Sequence, residues 1–323
     1  IEVSNYLGDH FSLITLPVAL VYKLFPTVFT LFFLMAAAYA VAAWGLYKLT
    51  VLKKIPELTA LLILMLFLLY PPLSYALLFD YHPNLLALPF LAWGIYFSFR
   101  SKPKWTVLLF IIAAGCKEEI GFAVAGFYGY RFLKKRKPAD LILAIIFAIY
   151  SFSAAFLFIP YFRGSGGSDS IDRYTWISNG LGDLPRLLWE LVSHGRWIYI
   201  IKLTAPFLLL FIFDPLSLLI FLPTLGINLL SSHVTQYSTY FHYDAVNALL
   251  IAVAAVCGIA RLGRDRVLIN KFLILMLPMV IAFNAMPQNL LNNYHRYPDY
   301  QLLQKFKTTL TDNVYLIVDS APG

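Results

Sequence analysis

Three stretches of this chain, Thr27–Tyr47, Leu58–Phe79 and Leu141–Pro160, run for about twenty residues each without a single charged side chain. An α-helix needs roughly 20 apolar residues to cross ~30 Å of hydrocarbon. With no water to bond its backbone, a chain crosses lipid only as a helix or a closed barrel. Barrel strands would alternate in polarity over about ten residues, and these runs are apolar on every side. The sequence therefore predicts an all-α integral membrane protein. Composition agrees: 60% of the residues are apolar and only 13% are charged, against roughly 25% charged in a soluble domain.

The net charge of +8 does not point to nucleic acid, because the basic residues fall in short clusters between apolar runs. These are Lys48, Lys53 and Lys54; Arg100, Lys102 and Lys104; Arg131 and Lys134–Lys137; and Arg261, Arg264, Arg266 and Lys271. The positive-inside rule makes these loops cytoplasmic. Fifteen of the 25 basic residues then gather on the inner side with four acids, Glu57, Asp140, Asp214 and Asp265.

The segment from Trp105 to Leu133 decides the parity. As one span it would place Lys134–Lys137 outside. As two shorter helices, 105–116 and 120–133, it returns them inside and sets Lys117-Glu118-Glu119 at a recessed turn.

Spans are thus expected near 27–47, 56–79, 83–99, 105–116, 120–133, 140–159, 197–213, 215–230, 244–260 and 271–286, about ten transmembrane or half-membrane helices. Residues 1–286 form the polytopic domain, with external loops 1–26, 161–196 and 231–243. Within the first loop, Phe11–Phe25 reads as an amphipathic helix in the interface. Residues 287–323 read as an external tail, with Asn313–Asp319 opening a soluble module as a strand. The start at Ile1, without methionine or charged leader, reads as part of a longer chain with no signal peptide. Cys116 and Cys257 fall near opposite ends of their spans, which argues against a disulfide.

With this topology all six histidines lie on the external side, although none entered the charge argument. Four patches carry the chemistry. Gly8-Asp9-His10-Phe11-Ser12 offers a carboxylate beside an imidazole, suited to acid–base work or metal ligation. Phe79-Asp80-Tyr81-His82-Pro83 is a tight turn in which Asp80 reads equally as a helix cap. Lys117-Glu118-Glu119 is the most informative, since ionisable groups at membrane depth are expensive and face polar cavities. Its plainer reading is a lysine neutralising one glutamate for helix packing.

Ser231–Tyr243 brings His233, Tyr240 and His242 together with hydroxyls, a mixture fit for a sugar or head group or for an aromatic belt at the lipid interface. Arg173, in the long loop, reads as a phosphate clamp or a plain surface arginine. No phosphate-binding glycine loop, zinc spacing or nucleophile elbow occurs.

Taken in order, His10-Phe11-Ser12, Asp80-Tyr81-His82-Pro83 with Leu85–Trp93, Lys117-Glu118-Glu119-Ile120-Gly121, Pro160-Tyr161-Phe162 and Ser231–Tyr243 resemble a family of predicted prokaryotic membrane proteins of unknown function. That family is grouped with the GT-C superfamily of membrane glycosyltransferases, which use polyprenyl-phosphate-linked sugars. The resemblance implies a GT-C-like fold, a multi-pass plasma-membrane protein of the cell envelope, and transfer of a sugar to an extracytoplasmic acceptor. Asp9, Asp80, Glu118 and Glu119 are then the catalytic candidates. His10, His82, Lys117, Arg173, His233, Tyr240 and His242 are the substrate- and phosphate-binding ones, with a divalent metal as the cofactor to look for. In such enzymes the catalytic acid sits in the first external loop; here only Ile1–Phe11 of that loop is in the chain, so either Asp9 stands in for it or the acid lies upstream of Ile1. Two other functions compete: a transporter or lipid flippase built on Lys117-Glu118-Glu119, and a non-catalytic anchor for an external domain.

Overall fold

A computed structural model describes residues 6–164, 172–177, 180–192, 195–207, 209–262 and 266–284. His194, His295, the glycine–serine stretch after Gly164 and the proposed strand Asn313–Asp319 lie outside the described residues. Among the described residues every regular element is a helix. They are α1 (Thr15–Leu24), α2 (Val28–Leu52), α3 (Glu57–Leu68), α4 (Pro71–Leu78), α5 (Pro83–Phe99), α6 (Pro103–Ala114), α7 (Ile120–Lys135) and α8 (Pro138–Ser153). After the π turn Ala154–Phe158 follow α9 (Ile159–Arg163), α10 (Leu184–Val192), α11 (Arg196–Thr204), α12 (Leu218–Leu230), α13 (Ala245–Leu262) and α14 (Arg266–Phe283).

Three helical stretches are long and apolar enough to cross a membrane: Val28–Leu52, Pro138–Arg163 and His242–Leu262. A fourth is made by α3 and α4 if they count as one span bent by 40°. The remaining apolar helices are shorter, so the expectation of about ten spans is met only in part. Proline explains two of the departures. Pro71 and Pro72 break the run expected at 56–79, because proline lacks an N–H and pushes the preceding residue out of the α region. Pro206 ends the helix expected over 197–213, and single turns at Ala205–Phe207 and Leu210–Phe213 replace its second half. The expected interfacial segment forms α1, whose Leu16, Leu20 and Leu24 are all exposed at the four-residue spacing of one helix face.

The core gathers around α13, most of which is buried; α2, α3, α5, α7 and α12 pack about it. At the margin, α8 shows its Ile142, Ile145, Ile146, Ile149 and Phe152 outward. In water so large an apolar patch would drive association; in lipid it is the ordinary surface of a helix.

Helix direction matters most for the site. α5, α7 and α13 each begin beside a histidine or carboxylate patch, at His82, Glu119 and Asp244, and each ends among basic residues. At 1.5 Å per residue their 16 to 18 residues separate the two ends by roughly 24–27 Å. The turn at Lys117-Glu118-Glu119 does part α6 from α7, as the charge argument requires.

Candidate functional site

The turn between α6 and α7 is covered by the chain's first described segment. Ile14 donates its N–H to the Gly115 carbonyl, and Phe11 donates its N–H to Glu118 Oε2 at 3.2 Å. Glu118 Oε1 stands 3.2 Å from His10 Nδ1, so the imidazole and the carboxylate meet across 108 residues of sequence. On its far side, His10 Nε2 lies 3.8 Å from Asp9 Oδ2. Lys117, only 3% exposed, pairs with Glu119 Oε1 at 3.3 Å. The same oxygen accepts Asn84 Nδ2 from the first turn of α5. Buried Glu118 and partly buried Glu119 are thus each held by a cationic or hydrogen-bonding partner, as burial demands.

A second group of rings stands beside the first. His82 and His242 stack with centroids 3.3 Å apart, and Phe79 leans on both. Asp80 Oδ1 is 2.6 Å from His82 Nδ1, which by itself would favour an imidazolium. Asp80 is mostly solvated, however. Burial first, then the charge of Lys117, pulls the His82 pKa down to about 3. His82 is therefore neutral at pH 7, its Nδ1–H donating to Asp80.

A histidine whose folded pKa lies below its unfolded one binds fewer protons when folded. Its stabilisation is complete above the unfolded value near 6.5 and is lost as pH falls toward 3, by up to about 1.4 kcal/mol per unit. The melting temperature of wild type in detergent should therefore drop more steeply between pH 7 and pH 5 than that of His82→Gln. Parallel slopes would show an imidazole that ionises freely.

The first group opens into a cavity of about 450 Å³ between α7, the α8–π turn region and α12. His10, Lys117, Glu118, Glu119 and Arg173 line it, with Tyr174 and Gln236. Arg173 Nη1 donates to Gln236 Oε1 at 3.4 Å, and Gln236 Nε2 to the Tyr174 hydroxyl at 3.2 Å. Phe122, Phe152, Phe156, Leu222, Ile227 and Leu230 line the cavity too. Phe152 and Phe156 are also 54% exposed, so this apolar lining reaches the outer helix surface. The π turn that carries Ala155 and Phe156 into this wall is a local device often found at functional sites.

Five of the residues singled out from sequence therefore share one cavity, and Asp9 touches it through His10. His82, Asp80 and His242 form the adjoining stack. His233 is exposed, and its backbone N–H binds Ser231 Oγ. Tyr240 stands elsewhere, edge-on to Tyr75 at 5.0 Å and beside Lys202.

Sequence reasoning missed Asn84, and it gave no separate role to Tyr174, beside Arg173, or to Gln236 and Tyr243 within the Ser231–Tyr243 patch; the Tyr243 ring faces both Lys117 and Arg173. It also stopped one residue short of Asp244. That buried carboxylate accepts the Tyr199 hydroxyl at 2.5 Å and the Asn228 and Asn247 amides at 3.0 and 3.2 Å. The signal was present, since Asn228 and Asn247 are amides inside otherwise apolar helices.

Among the described residues no three of His, Cys, Asp and Glu are grouped to hold a metal ion, and the donors fit none: Glu118 is committed to His10 and Phe11, and Glu119 to Lys117 and Asn84. The two cysteines are free and buried. No curated protein and no solved structure matches the chain. Over residues 1–311, which include every site residue named above, the sequence matches the family described as "Predicted membrane protein (DUF2079)", and the chain belongs to that family of membrane proteins.

Proposed function

We propose that this protein is a membrane glycosyltransferase that moves a sugar from a polyprenyl-phosphate-linked donor to an acceptor at the histidine-bearing, extracytoplasmic face of a prokaryotic plasma membrane. The observation that carries the reading is a single cavity lined by both cationic and apolar side chains. A phosphate suits Lys117 and Arg173, and a hydrocarbon chain suits the apolar lining, of which Phe152 and Phe156 also reach the outer helix surface.

In the reaction the acceptor oxygen bonds to the anomeric carbon while the bond from that carbon to the phosphate oxygen breaks, releasing the polyprenyl phosphate. Lys117 and Arg173 take up the charge that develops on the leaving phosphate. His10, held at Nδ1 by Glu118, presents Nε2 to the acceptor hydroxyl and takes its proton. Asp9, beside Nε2, stabilises the imidazolium that results. No step is assigned to a metal.

The test is transfer of labelled sugar from a polyprenyl-phosphate donor by the purified protein in nanodiscs. Glu118→Gln is expected to cut the rate by about 10²-fold or more while the donor still binds. Failure of the wild type to bind or consume any such donor would end the proposal. Solute uptake into proteoliposomes that Glu118→Gln abolishes, without sugar transfer, would put a transporter in its place.

A further inference from the structure

The opposite ends of the same helices converge on a second concavity, a basin of about 570 Å³. Lys53 follows the last residue of α2, Arg131, Lys134 and Lys135 stand on the last turns of α7, and Arg261 is near the end of α13. The two carboxylates here each already hold a cation. Asp214, 3% exposed, takes Lys134 at 2.7 Å, Arg261 at 3.2 Å and the Tyr130 hydroxyl at 3.1 Å. Asp140 takes Arg131 at 3.0 Å.

Lys53 and Lys135 have no carboxylate within 4.0 Å among the described residues; the Lys53 ammonium instead sits 3.5 Å over the Phe99 ring. Burial, and beside it Lys135 and Lys134, hold the Lys53 pKa below its ordinary value. Five cations thus face two carboxylates, Asp214 with both oxygens engaged and Asp140 with only Oδ1 engaged. The helix ends that meet here contribute only about half a negative charge each, which leaves the basin positive.

A preference for basic residues on one side of the membrane explains why such residues lie at this end. It does not explain why five of them enclose a hollow, or why two are left without an acid.

We propose that this basin binds a phosphate-bearing anion, either the head group of an anionic lipid or a soluble phosphate compound, at the end of the bundle opposite the proposed transfer site. Lys53 and Lys135 supply the cations that no carboxylate holds among the described residues, and the tether from Asp214 to Lys134 and Arg261 fixes the mouth. Basic pockets between helix ends at a membrane surface suit such head groups, each cation adding favourable energy. The inference does not depend on the glycosyltransferase reading.

The test compares wild type, Lys53→Gln/Lys135→Gln, and Lys102→Gln/Lys104→Gln, the last pair being exposed at the turn where α5 gives way to α6, outside the basin. Bound phosphatidylglycerol is counted by native mass spectrometry from phosphatidylcholine nanodiscs doped with it. Inorganic pyrophosphate is titrated against melting temperature in phosphatidylcholine alone. The basin variant is expected to melt as wild type does in phosphatidylcholine, since it breaks no ion pair. It should bind at least one probe about tenfold or more weaker, while the control variant keeps both. Loss of phosphatidylglycerol alone assigns the basin to a lipid, and loss of pyrophosphate assigns it to a soluble phosphate compound. Unchanged binding of both probes in the basin variant, or an equal loss in the control, overturns the proposal.

Discussion

Lys117→Met should cost the protein about 3–5 kcal/mol of stability, the penalty for removing one partner from a buried ion pair. The lysine is 3% exposed and lies 3.3 Å from Glu119, with Glu118 as its next residue and the Tyr243 ring 5.5 Å away. Without it, two carboxylates remain in a largely buried turn with only His10 and hydrogen-bond donors to balance them. The loss is a desolvation penalty rather than the worth of the pair itself. Adding Glu119→Gln to Lys117→Met should therefore restore part of it, although Glu119 is 20% exposed and water already screens its charge. Unfolding in detergent of the two single variants and the double gives the coupling. If the double variant is no more stable than Lys117→Met, the two side chains act independently and the lysine serves some other partner. Lys117→Arg separates stability from function: it keeps the charge, but its planar fork does not reproduce a compact ammonium.

That pair was legible in the sequence because three consecutive charges inside an apolar stretch have few explanations. The break between α6 and α7 followed from the same residues together with the basic run at Lys134–Lys137. His10 was legible only as a histidine beside an aspartate. Its contact with Glu118 spans 108 positions, and no local pattern encodes a loop folding over a distant turn.

The apolar half of the cavity was invisible for a different reason. In a soluble protein a phenylalanine on the surface stands out, whereas in a membrane helix Phe152 and Phe156 look like every other lipid-facing residue. Hydropathy finds the helices and says nothing of the gap between two of them. The helices drawn over 56–79 and 197–213 are interrupted where a hydropathy window passes over proline, the first as a pair that can still count as one bent span. Pro71 and Pro206 scarcely lower the mean over twenty residues, yet each removes an N–H the helix needs. Tyr240 and His233 looked alike in a patch rich in rings and hydroxyls. Only the path of the backbone through single turns at Val234–Tyr237 and His242–Asp244 sends Gln236 and His242 inward while Tyr240 and His233 face away.

Two glycines that flank the cavity separate its architecture from its use. Gly126 on α7 meets α12 so closely that a methyl group there would run into the Leu219 carbonyl and reach Pro223 Cγ at 3.0 Å. Neither neighbour yields easily, one being backbone and the other a ring inside a helix. Gly126→Ala is expected to push the two helices apart at a cost of about 1–3 kcal/mol.

Gly226, on α12, lines the cavity, and a Cβ there has no atom within 4 Å. Gly226→Phe should set a ring into the cavity from a Cβ that meets no neighbour. Because glycine is a poor helix residue, stability should hold within about 1 kcal/mol or rise slightly. A donor whose hydrocarbon chain threads this gap must then lose its place. The KM for the lipid-linked donor should climb about tenfold or more, equivalent to ~1.4 kcal/mol of binding, with a smaller change in kcat because His10, Glu118 and Lys117 are untouched. Should the phenylalanine variant melt as low as Gly126→Ala, the space at Gly226 is not empty in the folded protein. Should it melt normally and handle donor as wild type does, the cavity is real but the lipid chain takes another path, and the apolar wall loses its part in the mechanism.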